Sequence, residues 1–160
     1  MKRLLSSWTL LCVLFQLWAQ IPAGYYEFAT GTHGSGLKTA LFSIITEHTP
    51  RSYDNLWSDF TKTDIREDGK VWDMYSSTTG FTFVNDQCGN YSREGDCYNR
   101  EHSFPKSWFN DAKPMYTDLF HLYPTDGKVN GMRSNYPFGE TNGEKYKSNG
   151  GFSKLGKSTV

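Results

Sequence analysis

The chain has 160 residues and a mass of 18.3 kDa, and its 17 basic side chains balance its 17 acidic ones. This length allows one domain. The zero net charge excludes a strongly basic nucleic-acid coat protein, and the composition excludes a multi-pass membrane protein. Aromatic residues make up 16% of the chain, so it can bury a core and disorder is not predicted.

The first residues have the pattern of a secretory signal peptide. A lysine and an arginine follow the initial methionine, and an apolar run comes next, densest over residues 8–17 and ending at the small residue Ala19. The run is shorter than the roughly 20 residues that a membrane-spanning helix needs. We therefore predict a signal peptide over residues 1–19 and a secreted or periplasmic domain over 20–160, with no membrane segment in its mature form. The alternative is a buried N-terminal helix.

Apolar spacing predicts two helices before residue 61. The first covers residues 37–45, with Ser35 as its N-cap, and the second covers Ser52–Phe60. Two short strands are predicted next, over residues 70–75 and 81–84. The first half of the domain is therefore expected to contribute helices and short strands.

Two cysteines, Cys88 and Cys97, remain after the leader is removed. An even pair in an exported protein predicts a disulfide, and the eight residues between them suit a tight loop. Two free buried thiols are one alternative. A zinc site that uses both cysteines and nearby histidines is another, although the spacing lacks the usual C-x2–4-C knuckle.

The second half predicts an antiparallel hairpin followed by a helix. Two strand patterns, over residues 99–104 and 118–123, each end at a proline. A helix is then predicted from Thr125, its N-cap, to about Asn135. No strong element is predicted from Tyr136 onward, where the sequence is polar and rich in glycine.

Charge is distributed unevenly along the predicted domain. Residues 20–97 carry 6 basic and 11 acidic groups, whereas residues 98–160 carry 9 basic and 6 acidic groups. Chance is one explanation of this difference. The functional interpretation is that the second half faces a polyanion.

The stretch from Asn99 to Pro105 places Glu101 beside His102. An imidazole can take a proton from water near neutral pH, and a carboxylate can hold a hard cation. Because neighbouring strand residues point to opposite faces, both can serve one site only if the strand ends or bulges there. Pro105 favours an ending. A surface pair of no functional consequence is the alternative.

A second polar group lies in the predicted helix. Asp126, Asn130 and Arg133 share a face there, at spacings i, i+4 and i+7. That face offers an oxygen ligand and a guanidinium, whose planar fork suits phosphate. The alternatives are that Asn130 is only a helix-end residue and that Arg133 is only a solvated charge.

Together, the blocks Asn99–Trp108 and Asp118–Gly139 resemble the bacterial endonuclease I family of secreted nucleases. That family belongs to the His-Me finger, or ββα-metal, nucleases. The resemblance implies an α+β fold with this core and additional N-terminal helices. It also implies that the domain over 20–160 is incomplete at its C-terminus, because relatives of this type continue beyond the position of Val160.

The resemblance implies a role for six residues. His102 matches the general base, and Glu101 and Asn130 match ligands of Mg²⁺, for which Mn²⁺ or Ca²⁺ could substitute. Substrate contacts are implied for Arg133, Asn135 and His121, with His121 either touching the phosphate or orienting the hairpin. We expect Glu101, His102 and Asn130 to converge in one cleft, with Arg133 at its rim.

The resemblance thus implies a secreted, metal-dependent and largely non-specific endonuclease. It would hydrolyse phosphodiester bonds of DNA, with RNA as a second candidate substrate, and would act as a monomer. The alternative from a different class is a non-catalytic exported module that binds glycans or surfaces through its aromatic residues. That alternative requires neither His102 nor a metal.

Overall fold

The computed structural model describes residues 21–160, which form two compact units divided after His48. The predicted signal peptide lies outside the described residues. The helices and small antiparallel sheets of the described part make an α+β fold, as predicted. No helix within residues 21–160 has the length and apolar character needed to cross a membrane.

The described part of the first unit contains helix α1, Gly34–Thr46. The prediction of a helix here is confirmed, but the prediction that Ser35 caps it is wrong. The helix begins at Gly34 with His33 as its N-cap, two residues earlier than a Ser35 cap requires, and this places Ser35 within the first turn.

The second unit contains two α-helices, three short 3-10 helices and two short hairpins. Helix α2 begins at Leu56 and not at Ser52, because a turn occupies residues 53–55. The α-helices and strands in chain order are α2 (Leu56–Thr63), β1 (Tyr98–His102), β2 (Leu122–Asp126), α3 (Gly127–Arg133), β3 (Tyr146–Lys147) and β4 (Lys154–Leu155). The β3–β4 hairpin lies where no element is predicted.

A small apolar core joins α2 to the first hairpin. Leu56 and Phe60 of α2 are fully buried and pack with Tyr98 of β1 and Leu122 of β2. Trp57 meets the ring of Tyr98 edge to face, with 5.3 Å between ring centres. The hairpin is therefore fixed against α2.

The strands predicted over residues 70–75 and 81–84 are wrong. Oδ1 of Asp73 accepts hydrogen bonds from the backbone N–H groups of Tyr75 and Ser76, at 2.8 and 3.0 Å. Such side-chain bonds turn the backbone locally and compete with a sheet ladder. In the second segment Val84 has a left-handed φ of 73°, which no strand residue adopts.

The predicted antiparallel hairpin is confirmed, but its first strand ends at His102 instead of residue 104 and its second strand is shifted along the chain. β1 pairs with β2 so that Glu101 lies opposite Tyr123 and Arg100 opposite Pro124. Pro124 was expected to end the strand, yet β2 continues through it. The backbone N–H of Ser103 donates to the carbonyl of His121, and that of Gly127 donates to Cys97. Because hydrogen-bonded and non-hydrogen-bonded pairs alternate along an antiparallel ladder, Arg100 and Pro124 form a non-hydrogen-bonded pair. The N–H that proline lacks therefore removes no hydrogen bond from the ladder.

Helix α3 follows the hairpin directly, as predicted, but its cap is Asp126 and not Thr125. Thr125 is buried in β2. Oδ1 of Asp126 accepts from the N–H groups of Lys128 and Val129, at 2.8 and 3.0 Å. Asp126 is therefore engaged in capping the helix, as is typical of aspartate at this position.

The predicted Cys88–Cys97 disulfide is confirmed, with 4.9 Å between the two Cα atoms. The loop that it closes carries Tyr91, whose ring packs against Gly127 and Gly131 of α3. A Cβ at Gly127 would lie 2.7 Å from Sγ of Cys88. These glycines let the disulfide loop approach α3 closely.

Candidate active site

A cleft of about 330 Å³ opens where β1 ends. Glu101, His102 and Asn130 all line it, so the predicted convergence of these three residues is confirmed. β1 ends at His102, and its last four residues all line the cleft. The other lining residues are Tyr53, Asn99, Arg100, Pro105, Lys106, Gly131, Arg133, Ser134 and Asn135.

The ring of His102 is buried and fixed in orientation. Its Nε2 lies 3.0 Å from the backbone carbonyl oxygen of Tyr116. A carbonyl can only accept, so Nε2 carries the hydrogen and Nδ1 of the neutral ring is left as the acceptor. Burial lowers the pKa of His102 below its ordinary 6.5, and the backbone bond to Tyr116 partly opposes that shift. His102 is thus a neutral imidazole at neutral pH, with a defined acceptor nitrogen.

Aromatic rings pack around His102 and bury most of its side chain. The rings of Tyr116 and Tyr53 stack with the imidazole, at 5.4 and 6.1 Å between centres. Phe109 and His121 approach it at 6.1 and 5.8 Å. This packing is the source of the burial that favours the neutral imidazole.

The carboxylate of Glu101 is buried among polar partners. The hydroxyl of Tyr75 donates to its Oε1 at 2.8 Å, and Nη1 of Arg133 lies 3.4 Å from the same oxygen. Burial raises the pKa of Glu101 to about 7, while the Tyr75 bond and the charge of Arg133 act in the opposite direction. Both contacts are made by Oε1, so Oε2 is the oxygen that remains available to bind a cation.

The side-chain amide of Asn130 contacts β1. Its Nδ2 donates to Oδ1 of Asn99 at 3.2 Å. Asn99 and Glu101 are two residues apart and therefore share one face of β1, the face that meets Asn130 and Arg133 of α3. With Nδ2 engaged, the amide oxygen of Asn130 is the atom available as a ligand.

The oxygens of Glu101 and Asn130 fit a hard cation. A carboxylate and an amide oxygen are ligands that Mg²⁺, Mn²⁺ and Ca²⁺ accept. Within residues 21–160 no cluster of three or more His, Cys, Asp or Glu side chains could hold a metal ion. A cation here would therefore complete its coordination with water and substrate oxygens, as Mg²⁺ commonly does.

Arg133 lies in the wall of the cleft and not at its rim. Its side chain is only 11% exposed. Besides its contact with Glu101, it donates to the carbonyl oxygens of Ser103 and Ser134, at 2.6 and 2.9 Å. Its role as a phosphate contact stays a prediction, and its observed contacts are with the protein.

The other sequence-predicted residues divide into two groups. Asn135 is exposed and lines the cleft. His121 does not line it, and both of its ring nitrogens are buried without a hydrogen-bond partner in the described structure. Its ring centre lies 5.8 Å from that of His102, and its role as a substrate contact or in orienting the hairpin stays a prediction. Asp126, predicted to share the helix face of Asn130, caps α3 instead.

Sequence reasoning did not find Tyr75, Tyr116, Asn99 or Lys106. The alternation of β1 could have indicated Asn99, because it lies two residues before Glu101. Nothing in the sequence indicated Tyr75, which reaches Glu101 from an irregular segment 26 residues earlier. Tyr116 acts through its backbone, and a backbone contact leaves no trace in side-chain patterns.

Residues 33–160 match the sequence model of the family described as endonuclease I. The chain belongs to the endonuclease I family. The match covers both blocks of sequence on which the resemblance was based, and with them all the residues of the cleft.

Two curated relatives support this family membership. An extracellular ribonuclease of Bacillus subtilis (strain 168) is 36% identical over 132 residues, which cover 80% of this chain and 44% of the relative. The extracellular ribonuclease of Bacillus amyloliquefaciens is 35% identical over 134 residues, which also cover 80% of this chain and 44% of the relative. The chain thus spans less than half the length of either relative. No solved structure gives a significant match.

Proposed function

We propose that the protein is a secreted, metal-dependent endonuclease that hydrolyses phosphodiester bonds, with His102 as its general base. The observation that carries the proposal is the hydrogen bond from Nε2 of His102 to the carbonyl of Tyr116. This bond leaves Nδ1 as the proton acceptor, in a cleft that also holds Glu101 and Asn130.

The arrangement of β1, β2 and α3 supports a His-Me finger core. The proposed base and one proposed ligand lie at the end of the first strand, and the second ligand lies on the helix that follows the hairpin. We assign this hairpin and helix to the ββα-metal unit of such nucleases. Membership in the endonuclease I family favours the assignment.

In the proposed reaction, Nδ1 of His102 accepts a proton from the water that attacks the phosphorus. The bond from phosphorus to the 3′ oxygen breaks and that oxygen takes a proton from solvent water, so the products carry a 5′ phosphate and a 3′ hydroxyl. Glu101 and Asn130 would hold the cation, whose positive charge stabilises the leaving oxygen when it is bound. Tyr116 keeps the imidazole in the tautomer that can accept the proton.

The substrate is proposed to be nucleic acid of low sequence selectivity. Water is the nucleophile, so the reaction needs no 2′ hydroxyl and DNA and RNA both qualify. The names of the two relatives favour RNA and favour secretion, and the family description favours endonucleolytic cleavage. Phosphate contacts carry no sequence information, which agrees with low selectivity.

The test is cleavage of supercoiled plasmid and of a labelled single-stranded RNA with Mg²⁺ and with EDTA. We expect nicking with Mg²⁺, its loss in EDTA, and 5′ phosphates on both sets of products. Cleavage that persists in EDTA would contradict the metal-dependent mechanism. An absence of cleavage under both conditions, together with binding to glycans, would favour the exported binding module.

A further inference from the structure

Three cationic side chains line the cleft, and two of them, Arg100 and Arg133, already bind other groups of the protein. The guanidinium of Arg100 lies 3.7 Å from the centre of the Tyr53 ring and donates to the Tyr53 carbonyl at 2.7 Å. Its side chain is only 15% exposed. Arg133 is held by Glu101 and by two carbonyl oxygens. Neither guanidinium is free to leave its partners for a substrate.

Lys106 is the third cation, and it differs from the other two in its exposure. Its side chain is 48% exposed, and Lys106 lines the cleft directly after Pro105. Its Nζ lies 5.7 Å from the centre of the Tyr116 ring, which stacks on His102. The ammonium group is therefore both accessible and close to the proposed base.

The partner of Lys106 is weakly bound. Oδ2 of Asp111 lies 3.0 Å from Nζ, and the Asp111 side chain is 50% exposed. An ion pair this open to solvent contributes about 0–1 kcal/mol, because water and salt screen it. Binding of a phosphate to Lys106 is more favourable in free energy than this ion pair, since it forms a charge-assisted hydrogen bond and releases counterions from the nucleic acid.

We propose that Lys106 binds a phosphate that flanks the scissile one, and that Asp111 is its intramolecular competitor, occupying Lys106 until nucleic acid displaces it. The proposal rests on the proposed function for its substrate class. It predicts that removal of the acidic partner strengthens binding. A purely structural role predicts the reverse, because the ion pair between the Asp111 carboxylate and Nζ of Lys106 would then hold Lys106 in its binding position.

The test measures binding without cleavage. A fluorescently labelled single-stranded 12-mer is titrated by anisotropy in EDTA, over a series of salt concentrations. The variants are Lys106→Gln, Asp111→Asn and the double variant. Lys113→Gln is the matched control, because Lys113 is exposed, lies in the same segment and does not line the cleft. Thermal melts show whether each variant is folded.

We expect Lys106→Gln to weaken binding about 5- to 8-fold at 0.1 M salt. The slope of the logarithm of the binding constant against the logarithm of the salt concentration should become shallower by the amount expected for about one phosphate contact. Asp111→Asn should tighten binding about two- to fivefold, a change that matches the small free energy of an exposed ion pair. In the Lys106→Gln background the same Asp111→Asn change should have no effect. Lys113→Gln should change binding less than twofold.

Three results would overturn the proposal. Weaker binding by Asp111→Asn would show that the ion pair is only structural. An equal gain in both backgrounds would show that Asp111 acts through general repulsion and not through Lys106. Equal losses from Lys106→Gln and Lys113→Gln would show that no specific phosphate is bound. Because no cleavage is measured, these outcomes are separate from a failure of the hydrolytic mechanism.

Discussion

The carboxylate of Glu101 lies 3.4 Å from the guanidinium of Arg133, and both side chains are almost completely buried. In the protein without a bound cation, Arg133 is therefore the counter-charge of Glu101. A cation held by Glu101 would take over part of this role, and at the same time Arg133 would repel it. Under the proposed metal-dependent function, the ion pair would couple the stability of the cleft to metal binding.

Above the pKa of Glu101, where its side chain is ionised, we expect Arg133→Met to lower the stability of the protein in EDTA by about 3 kcal/mol, since it leaves a buried carboxylate without its partner. Added Mg²⁺ should then raise the melting temperature more in the variant than in the parent protein. Lys128→Met, on the same helix, is the control for loss of one cation. Equal Mg²⁺ shifts in parent and variant would contradict the coupling.

The hydroxyl of Tyr75 donates to Oε1 of Glu101, and we expect this bond to orient the proposed ligand. Tyr75→Phe keeps the ring and removes only the donor. Loss of a hydrogen bond that orients a ligand typically lowers metal affinity about 10- to 100-fold. Calorimetric titration with Mn²⁺ measures the change. Tyr123→Phe, which removes a hydroxyl bonded to the exposed Phe120 carbonyl, should leave the affinity unchanged.

Asn99 is expected to orient the amide of Asn130 by accepting from its Nδ2. Asn99→Ala removes the acceptor and should weaken Mn²⁺ binding about 10-fold. Asn99→Asp keeps an acceptor and adds negative charge, so its affinity should equal or exceed that of the parent protein. If the two variants lose affinity equally, Asn99 does not act through the acceptor oxygen.

The hairpin could be predicted because it depends on local chemistry, whereas the convergence of Glu101, His102 and Asn130 was implied by the resemblance to the endonuclease I family. Strand alternation, a strand ending before Pro105 and a helix after a hairpin are all visible in the sequence. The prediction of strands over residues 70–75 and 81–84 was wrong. The side chain of Asp73 bonds to the backbone and turns the first segment, and the backbone turns at Val84 in the second. Apolar alternation reveals neither turn. The cap of α3 was misplaced by one residue, since both Thr125 and Asp126 are good N-cap residues.

The surroundings of the site could not be predicted, because they depend on contacts between distant segments. Tyr75 meets Glu101 and Asn99 meets Asn130 only after the chain has folded. The position of Arg133 illustrates the same limit. Its spacing from Asn130 indicated the correct face of α3, but the spacing did not show that Ser103 and Glu101 already occupy its guanidinium.

Acid stability should depend on Asp96, which lies in the disulfide loop. Hydrogen bonds from the backbone N–H groups of Ser92 and Arg93 lower the pKa of Asp96 to about 2, from an ordinary 3.8. Because the folded pKa is the lower one, this contribution to stability is complete above about pH 4 and is lost as the pH falls toward 2.

We therefore expect Asp96→Asn to lower the melting temperature at pH 6, and the difference from the parent protein to shrink between pH 4 and 2. Melts followed by circular dichroism over this range measure it. Glu67→Gln, at an exposed position, is the control. A difference that stays constant down to pH 2 would contradict the assignment.

The most direct test of the proposed mechanism compares His102→Ala with the parent protein in single-turnover nicking of supercoiled plasmid at fixed Mg²⁺. His48→Ala, at an exposed histidine in the other unit, is the control. We expect His102→Ala to lose about 10²–10⁴-fold in rate, with binding nearly unchanged and partial recovery on addition of imidazole. Equal rates for His102→Ala and the parent protein would contradict the assignment of His102 as the base.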